Sequence, residues 1–283
     1  MSFLAIIIAL ALVQVWGSGG PAHHDGWFRG WQARVGRWGL APALELAALV
    51  LLPVLLAQFV LNVLESLLFG LLWIGAACGL LLYSFGRGDF QALQQRYRSQ
   101  CHSGDFEAAY LTACTEFGWE PEEDGPVSPA QVHVMVQRQL LYEGFQRWFA
   151  VIFYFLVLGP AGALAYRLLH LAEDHSGSVL VKQCLFLADW VPARLLAASF
   201  AITGDFVGSL DQLMAVLRQG SLPAQEVLYR VAEPALGVDA FGLQEEESVF
   251  GEYASTQNRE YVSLLSRCAV GWIAVIALSV LFG

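Results

Sequence analysis

Charge is scarce in this chain. Asp, Glu, Lys and Arg make up 14% of its 283 residues, where soluble domains carry about a quarter. That shortage argues against an ordinary soluble globular protein. Lysine is scarcer still. Lys182 is the single one and has no G-x-x-x-x-G-K-[ST] context, so no phosphate-cradling P-loop can form. The net charge of -10 leaves no basic face for nucleic acid. The five cysteines form no C-x-x-C pair and read as small buried hydrophobes, not as a disulfide framework or a zinc site. The opening "MSFLAIIIALALVQVWGSGG" has neither a positive n-region nor an A-x-A cleavage site, so it reads as a retained membrane helix. H-E-x-x-H, a nucleophile elbow, a strand pattern and a tandem repeat are all missing as well.

What is abundant is apolar surface: 57% of the residues are hydrophobic and the mean hydropathy is +0.53. The expected fold is an all-α, polytopic integral membrane bundle with about 5–6 membrane segments, some short or re-entrant, and cytoplasmic helical segments. Residues 1–16 reach about 24 Å, slightly short of a ~30 Å hydrocarbon core. In "DGWFRGWQARVGRWG", Trp27, Phe28, Trp31, Val35 and Trp38 fall on one arc with Arg29 and Arg37 opposite, the pattern of an interfacial helix over 26–38. Residues 40–85 are too long for one crossing, roughly 69 Å as a single helix, and divide into spans at 42–63 and 66–85. Thus 1–85 is a membrane portion and 86–147 a soluble cytoplasmic helical segment, with helices starting at Asp89, Asp105 and Ser128-Pro129. Residues 148–203 form paired membrane or re-entrant segments, 204–266 a second soluble helical segment, and 267–283 a C-terminal membrane helix.

The basic residues bear on topology. If 148–169 and 183–203 both cross, or both re-enter, the basic stretches at 17–41, 86–147 and 204–267 share the cytoplasmic side, as the positive-inside rule prefers. Inside "FYFLVLGPAGALAYRLLH" the pair Gly159-Pro160 breaks a hydrophobic run. Gly159, Gly162 and the alanines would permit close helix contact and Pro160 the bend.

Charges placed in or beside apolar segments are candidates for a functional site. These are Arg167, Asp189 and Arg194, the latter two able to pair locally or elsewhere. "HLAEDH" adds His170, Glu173 and Asp174, without the spacing of a metal site, so no metal is expected.

At "FYFLVLGPAGALAYR" and "DWVPARLLAASFAITGD" the chain resembles the AmpE family, inner-membrane proteins encoded beside the cytosolic anhydromuramyl amidase AmpD and tied to induction of chromosomal β-lactamase. More distantly it is similar to the CobD/CbiB membrane synthases of cobalamin biosynthesis, which form an amide with an aminopropanol. Gly159-Pro160-Ala161-Gly162-Ala163 with Tyr166-Arg167 looks like that family's G-x-P-G-A and Y-R, and Pro192-Ala193-Arg194-Leu195 like its P-A-R-L. His170-Leu171 and Glu173-Asp174 stand where the synthases carry N-T and D-S. Tyr142-Glu143 and Gln146 stand at the E-N-x-x-D stretch, and S-P-N-x-G-W is missing.

The resemblance implies a multi-pass protein of a bacterial inner membrane, a regulatory or signalling modulator linked to β-lactamase induction and cell-wall recycling, non-enzymatic and without a cofactor. Its partners would be the lipid bilayer and either a cell-wall-derived ligand or a protein of the AmpD pathway. The alternative is a synthase-type membrane enzyme with an altered substrate, in which Glu143, Glu173 and Asp174 supply acid–base or Mg²⁺-binding groups. In either case the candidate polar site is Tyr166, Arg167, Arg194, Asp189, Glu173, Asp174, His170 and Glu143.

Overall fold

The computed structural model describes residues 2–16, 25–66, 70–86, 89–120, 128–176, 178–237 and 247–282. The side chains of Asp174 and His175 lie outside the described residues. Among the described residues there are helices and no strands, so the protein is an all-α membrane protein. The helices are α1 (Ser2–Trp16), α2 (Gly26–Gly36), α3 (Pro42–Glu65), α4 (Leu71–Ser84), α5 (Phe90–His102), α6 (Phe106–Phe117) and α7 (Pro129–Gly144). After a π-turn at Phe145–Phe149 come α8 (Ala150–Leu158), α9 (Pro160–Ser176), α10 (Val179–Thr203), α11 (Phe206–Arg218), α12 (Ala224–Ala235) and α13 (Glu247–Phe282). Four stretches among the described residues are long and apolar enough to cross a bilayer: Pro42–Glu65, Pro129–Leu158, Val179–Thr203 and Phe250–Ser279.

Local chemistry sets the helix starts. Asp89 Oδ1 accepts from the backbone N–H groups of Gln91 and Ala92, both at 3.0 Å. Asp105 Oδ1 accepts from Ala108 at 2.9 Å and Asp205 Oδ1 from Gly208 at 3.0 Å. Ser128 caps α7 with Pro129 in its first turn, where the missing N–H costs nothing. The boundary expected at 266/267, between a soluble helical segment and a C-terminal membrane helix, falls inside a continuous helix. Residues 247–282 form one helix of 36 residues, because Ser266-Arg267-Cys268 contains no breaker and the helix-disfavouring Gly251 and Gly271 are isolated.

The chain forms two compact units. The first is Met1–Gly88 with Gln146–Pro192 and Ile276–Gly283; the second is Asp89–Phe145 with Ala193–Val275. The segments 86–147 and 204–266 therefore supply most of a single unit. In the first unit α9 packs on α8, α3 and α4, and α1 packs on α4. Phe28, Leu46, Leu164, Leu168, Leu171, Ala172 and Val181 form its core. Phe28 and Val35 of α2 are thus buried against protein, while Trp27 and Trp38 stay 45% and 51% exposed. In the second unit Leu93, Tyr97, Cys101, Phe106, Tyr110, Val132, Val136 and Leu140 gather from α5, α6 and α7 around Ala254 of α13. Burial pushes the Cys101 thiol up to about 11.

The Gly159-Pro160 break makes a tight return. Gly159 sits at φ 77°, ψ -170°, a region essentially reserved for glycine, and Pro160 opens α9. The Tyr154 ring of α8 then stacks on the Tyr166 ring of α9, centroids 5.2 Å apart. A Cβ on Gly162 would fall 2.4 Å from Leu158 Cβ and 2.8 Å from the Tyr154 carbonyl oxygen, so only glycine allows this approach.

Gly159→Ala is expected to lower stability by about 1–3 kcal/mol. Gly75→Ala, in α4 with nothing within 4 Å of its new Cβ, should be neutral or stabilising by up to ~1 kcal/mol. Thermal unfolding of both variants in detergent measures the contrast; equal shifts would remove the special role given to the turn. The raised Cys101 thiol predicts a second outcome. At pH 8 its thiolate fraction is on the order of 10⁻³, so native protein should leave Cys101 unlabelled by a maleimide that modifies it after denaturation.

Candidate functional site

Polar side chains inside an apolar bundle need internal partners, and α9 supplies a set of them. Tyr166 and His170 lie one turn apart, on one face of the helix. Tyr166 Oη donates to Asp189 Oδ1 of α10 at 2.7 Å, and His170 Nε2 lies 2.9 Å from the same hydroxyl. With Asp189 ionised, the hydroxyl hydrogen goes to the carboxylate, so His170 donates from Nε2 and its neutral ring holds that tautomer. Tyr154 Oη donates to the carbonyl of Ala188 at 2.8 Å, fixing α8 to the same stretch of α10. Tyr166 is 3% exposed and His170 and Asp189 are 4% exposed.

Arg167 points to a different partner. Its Nη2 lies 3.9 Å from Asp25 Oδ2, the residue that precedes α2. Tyr83 at the end of α4 donates to Asp25 Oδ1 at 3.1 Å, and the Trp27 indole N–H donates to Tyr83 Oη at 2.9 Å. Two neighbouring residues of α9 therefore reach α10 on one side and α2 and α4 on the other. Asp25 and Tyr83 escaped the sequence reading. Asp25 carries the helix-start signal of an acidic residue before an aromatic-rich helix, but nothing local links it to a residue 142 positions away.

The remaining candidates are placed differently. Glu173 is half-buried on α9. Arg194 and Glu143 belong to the second unit. Arg194 Nη2 donates to the Gln219 carbonyl at 2.9 Å. Glu143 Oε1 accepts from Gln139 Nε2 at 3.1 Å, and Gln225 donates to Gln139 Oε1 at 2.6 Å. No group of three His, Cys, Asp or Glu side chains among the described residues is placed to hold a metal ion.

The second unit has a polar interior that the sequence reading did not single out. Tyr97 Oη lies 2.7 Å from His133 Nδ1, and His133 Nε2 pairs with Gln257 Oε1. An amide oxygen only accepts, so His133 donates from Nε2 and takes the Tyr97 hydrogen on Nδ1. Asn258 Nδ2 donates to Gln137 Oε1 at 3.2 Å. On α12, Glu226 binds Arg138 at 3.2 Å and Arg230 at 2.6 Å, and the Arg138 guanidinium lies 5.0 Å from the Tyr229 ring centroid. Burial, with Glu233 nearby, pushes the Tyr229 hydroxyl up to about 12.

The entire chain, residues 1–283, matches the family described as regulatory signalling modulator protein AmpE. The chain belongs to the AmpE family. Membership makes this AmpE-family chain a regulatory signalling modulator in membrane-protein form. No curated protein and no solved structure matches it.

Tyr166→Phe removes the hydroxyl shared by Asp189 and His170, and should destabilise by about 1–3 kcal/mol because buried polar groups lose a partner. Tyr154→Phe removes one half-buried bond to a carbonyl and should cost about 1 kcal/mol or less. Denaturation midpoints of the two variants against the parent check the ranking.

Proposed function

We propose that this protein is a multi-pass component of a bacterial inner membrane that modulates β-lactamase induction in step with cell-wall recycling. It acts by a change of conformation, with no reaction catalysed and no cofactor bound. Its signal is a cell-wall-derived ligand or a protein of the AmpD pathway. The observation that carries this reading is the polar set on α9. Tyr166, His170 and Asp189 are closely hydrogen-bonded and buried, while Arg167 faces Asp25 across 3.9 Å. The tight set holds one arrangement, and the longer ion pair is the contact that a competing anion or partner can open. Buried, cross-paired groups suit a two-state device whose equilibrium a ligand biases.

The synthase-type alternative asks for acid–base or Mg²⁺-binding work by Glu143, Glu173 and Asp174. Stabilisation of the purified protein by nucleotide and Mg²⁺, lost in Glu173→Ala, would favour that reading over ours.

The test uses a strain lacking this protein, complemented with the parent chain or with Arg167→Ala, and measures β-lactamase output after exposure to an inducing β-lactam. Arg167→Ala is expected to reach the membrane at the parental level and to lose the regulatory effect. Full regulation by that variant would refute a role for the Arg167–Asp25 contact.

A further inference from the structure

The first unit carries an apolar groove that the polar set on α9 does not use. Its volume is about 560 Å³, and it runs between α3 and α4 above Leu164 of α9. That size falls in the ~300–1,000 Å³ range of small-molecule sites. Small residues make the room: Ala57 on α3, and Ala76 and Gly79 on α4. From Pro53 to Leu61 the α3 wall runs for about 12 Å at 1.5 Å per residue. Trp27 and Tyr83 line the groove too; their rings lie 6.1 Å apart and their polar atoms bond to each other and to Asp25.

Three observations identify the occupant. The groove opens past Leu56 and Val60, which are 65% and 45% exposed, on a helix only 11% buried within the protein. In a spanning helix that face meets hydrocarbon, which favours apolar chains over water in an apolar groove. The lining includes a Trp–Tyr pair with polar tips, the side-chain type that sits where acyl chains give way to headgroups. Asp25, the carboxylate bonded to that pair of rings, faces the Arg167 guanidinium at 3.9 Å, so its charge is offset within the protein and is not left to grip a headgroup. We propose that this groove is a specific seat for one acyl chain of a bilayer phospholipid, gripped by its chain and not by its headgroup. The inference does not depend on the regulatory reading above.

Gly79 offers a clean test, because a Cβ there meets nothing within 4 Å. Gly79→Leu puts a side chain into the groove from a Cβ that is clear of the protein, and removes a helix-weakening glycine. The full chain is placed in nanodiscs containing a phospholipid with a photoreactive diazirine in its acyl chain. Cross-linked residues are then mapped by mass spectrometry, with melting curves recorded in parallel. The parent chain should concentrate cross-links at Leu56, Val60 and Ala76, equally in zwitterionic and anionic discs. Gly79→Leu should lose them while keeping those at Leu187 and Val191 on the exposed face of α10. If Gly79→Leu melts early, Ala76→Leu takes its place. Cross-links spread evenly along α3, or unchanged in the filled variant, would overturn the proposal. So would a strict need for an anionic headgroup, or cross-linking of two copies through the Gly75–Gly79 ridge in place of lipid.

Discussion

The Tyr166 hydroxyl is the contact on which the interior of the first unit turns. A carboxylate in an apolar bundle costs several kcal/mol unless it is closely hydrogen-bonded, and Asp189 is 4% exposed. Tyr166 meets that demand at 2.7 Å and at the same time orients His170 at 2.9 Å. The phenol supplies a donor and an acceptor without adding a charge. Next along the helix, Arg167 is placed against Asp25. Polar links thus join α9 to α10 and to the start of α2. Apolar packing is non-directional and cannot choose a helix's rotation as sharply as these bonds do.

That arrangement rests in turn on the backbone at Gly159. A side chain there would exclude the φ 77° turn, and a side chain at Gly162 would strike α8. Without both glycines, Tyr154 could not stack on Tyr166 or reach the Ala188 carbonyl. The helix breaker inside the hydrophobic run is therefore a positioning device. It sets α8 beside α9 and places both tyrosines against α10. The tip of the return leaves Leu156, Val157 and Leu158 exposed.

Much of the helical architecture was legible in the chain because its signals are local. Asp89, Asp105 and Ser128 cap helices through side-chain oxygens two or three residues away, and such spacing is visible in a sequence. The all-α class followed from long apolar runs, and a special turn from Gly159-Pro160. The continuity of α13 was missed because a switch from mixed to apolar composition looks like a boundary, whereas a helix ends only where the backbone is interrupted. The site was half legible. Tyr166, Arg167, His170 and Asp189 stand out as polar groups in apolar surroundings, but Asp25 and Tyr83 join them only through tertiary contact. Asp189 and Arg194 show the same limit. Nothing local in the sequence shows that Asp189 accepts from Tyr166 or that Arg194 donates to the Gln219 carbonyl. His133, beside Tyr97 and Gln257, stood among ordinary helical residues and gave no local sign of its burial.

Catalytic and signalling roles ask different things of the same side chains. A catalytic acid or base must reach a substrate, and at 3–4% exposure Tyr166, His170 and Asp189 face each other more than any entering molecule. A signalling element needs a contact that can exist in two states at modest cost. Among the links on α9, the short hydrogen bonds are poor candidates because breaking them strands buried polar groups. The Arg167–Asp25 pair is different. At 3.9 Å it is longer than a direct charge-assisted hydrogen bond. A closely hydrogen-bonded set beside a longer ion pair is an arrangement in which an anion or partner competing at Arg167 or Asp25 would act on the ion pair before it disturbs the set. That division of labour supports the regulatory reading over the catalytic one.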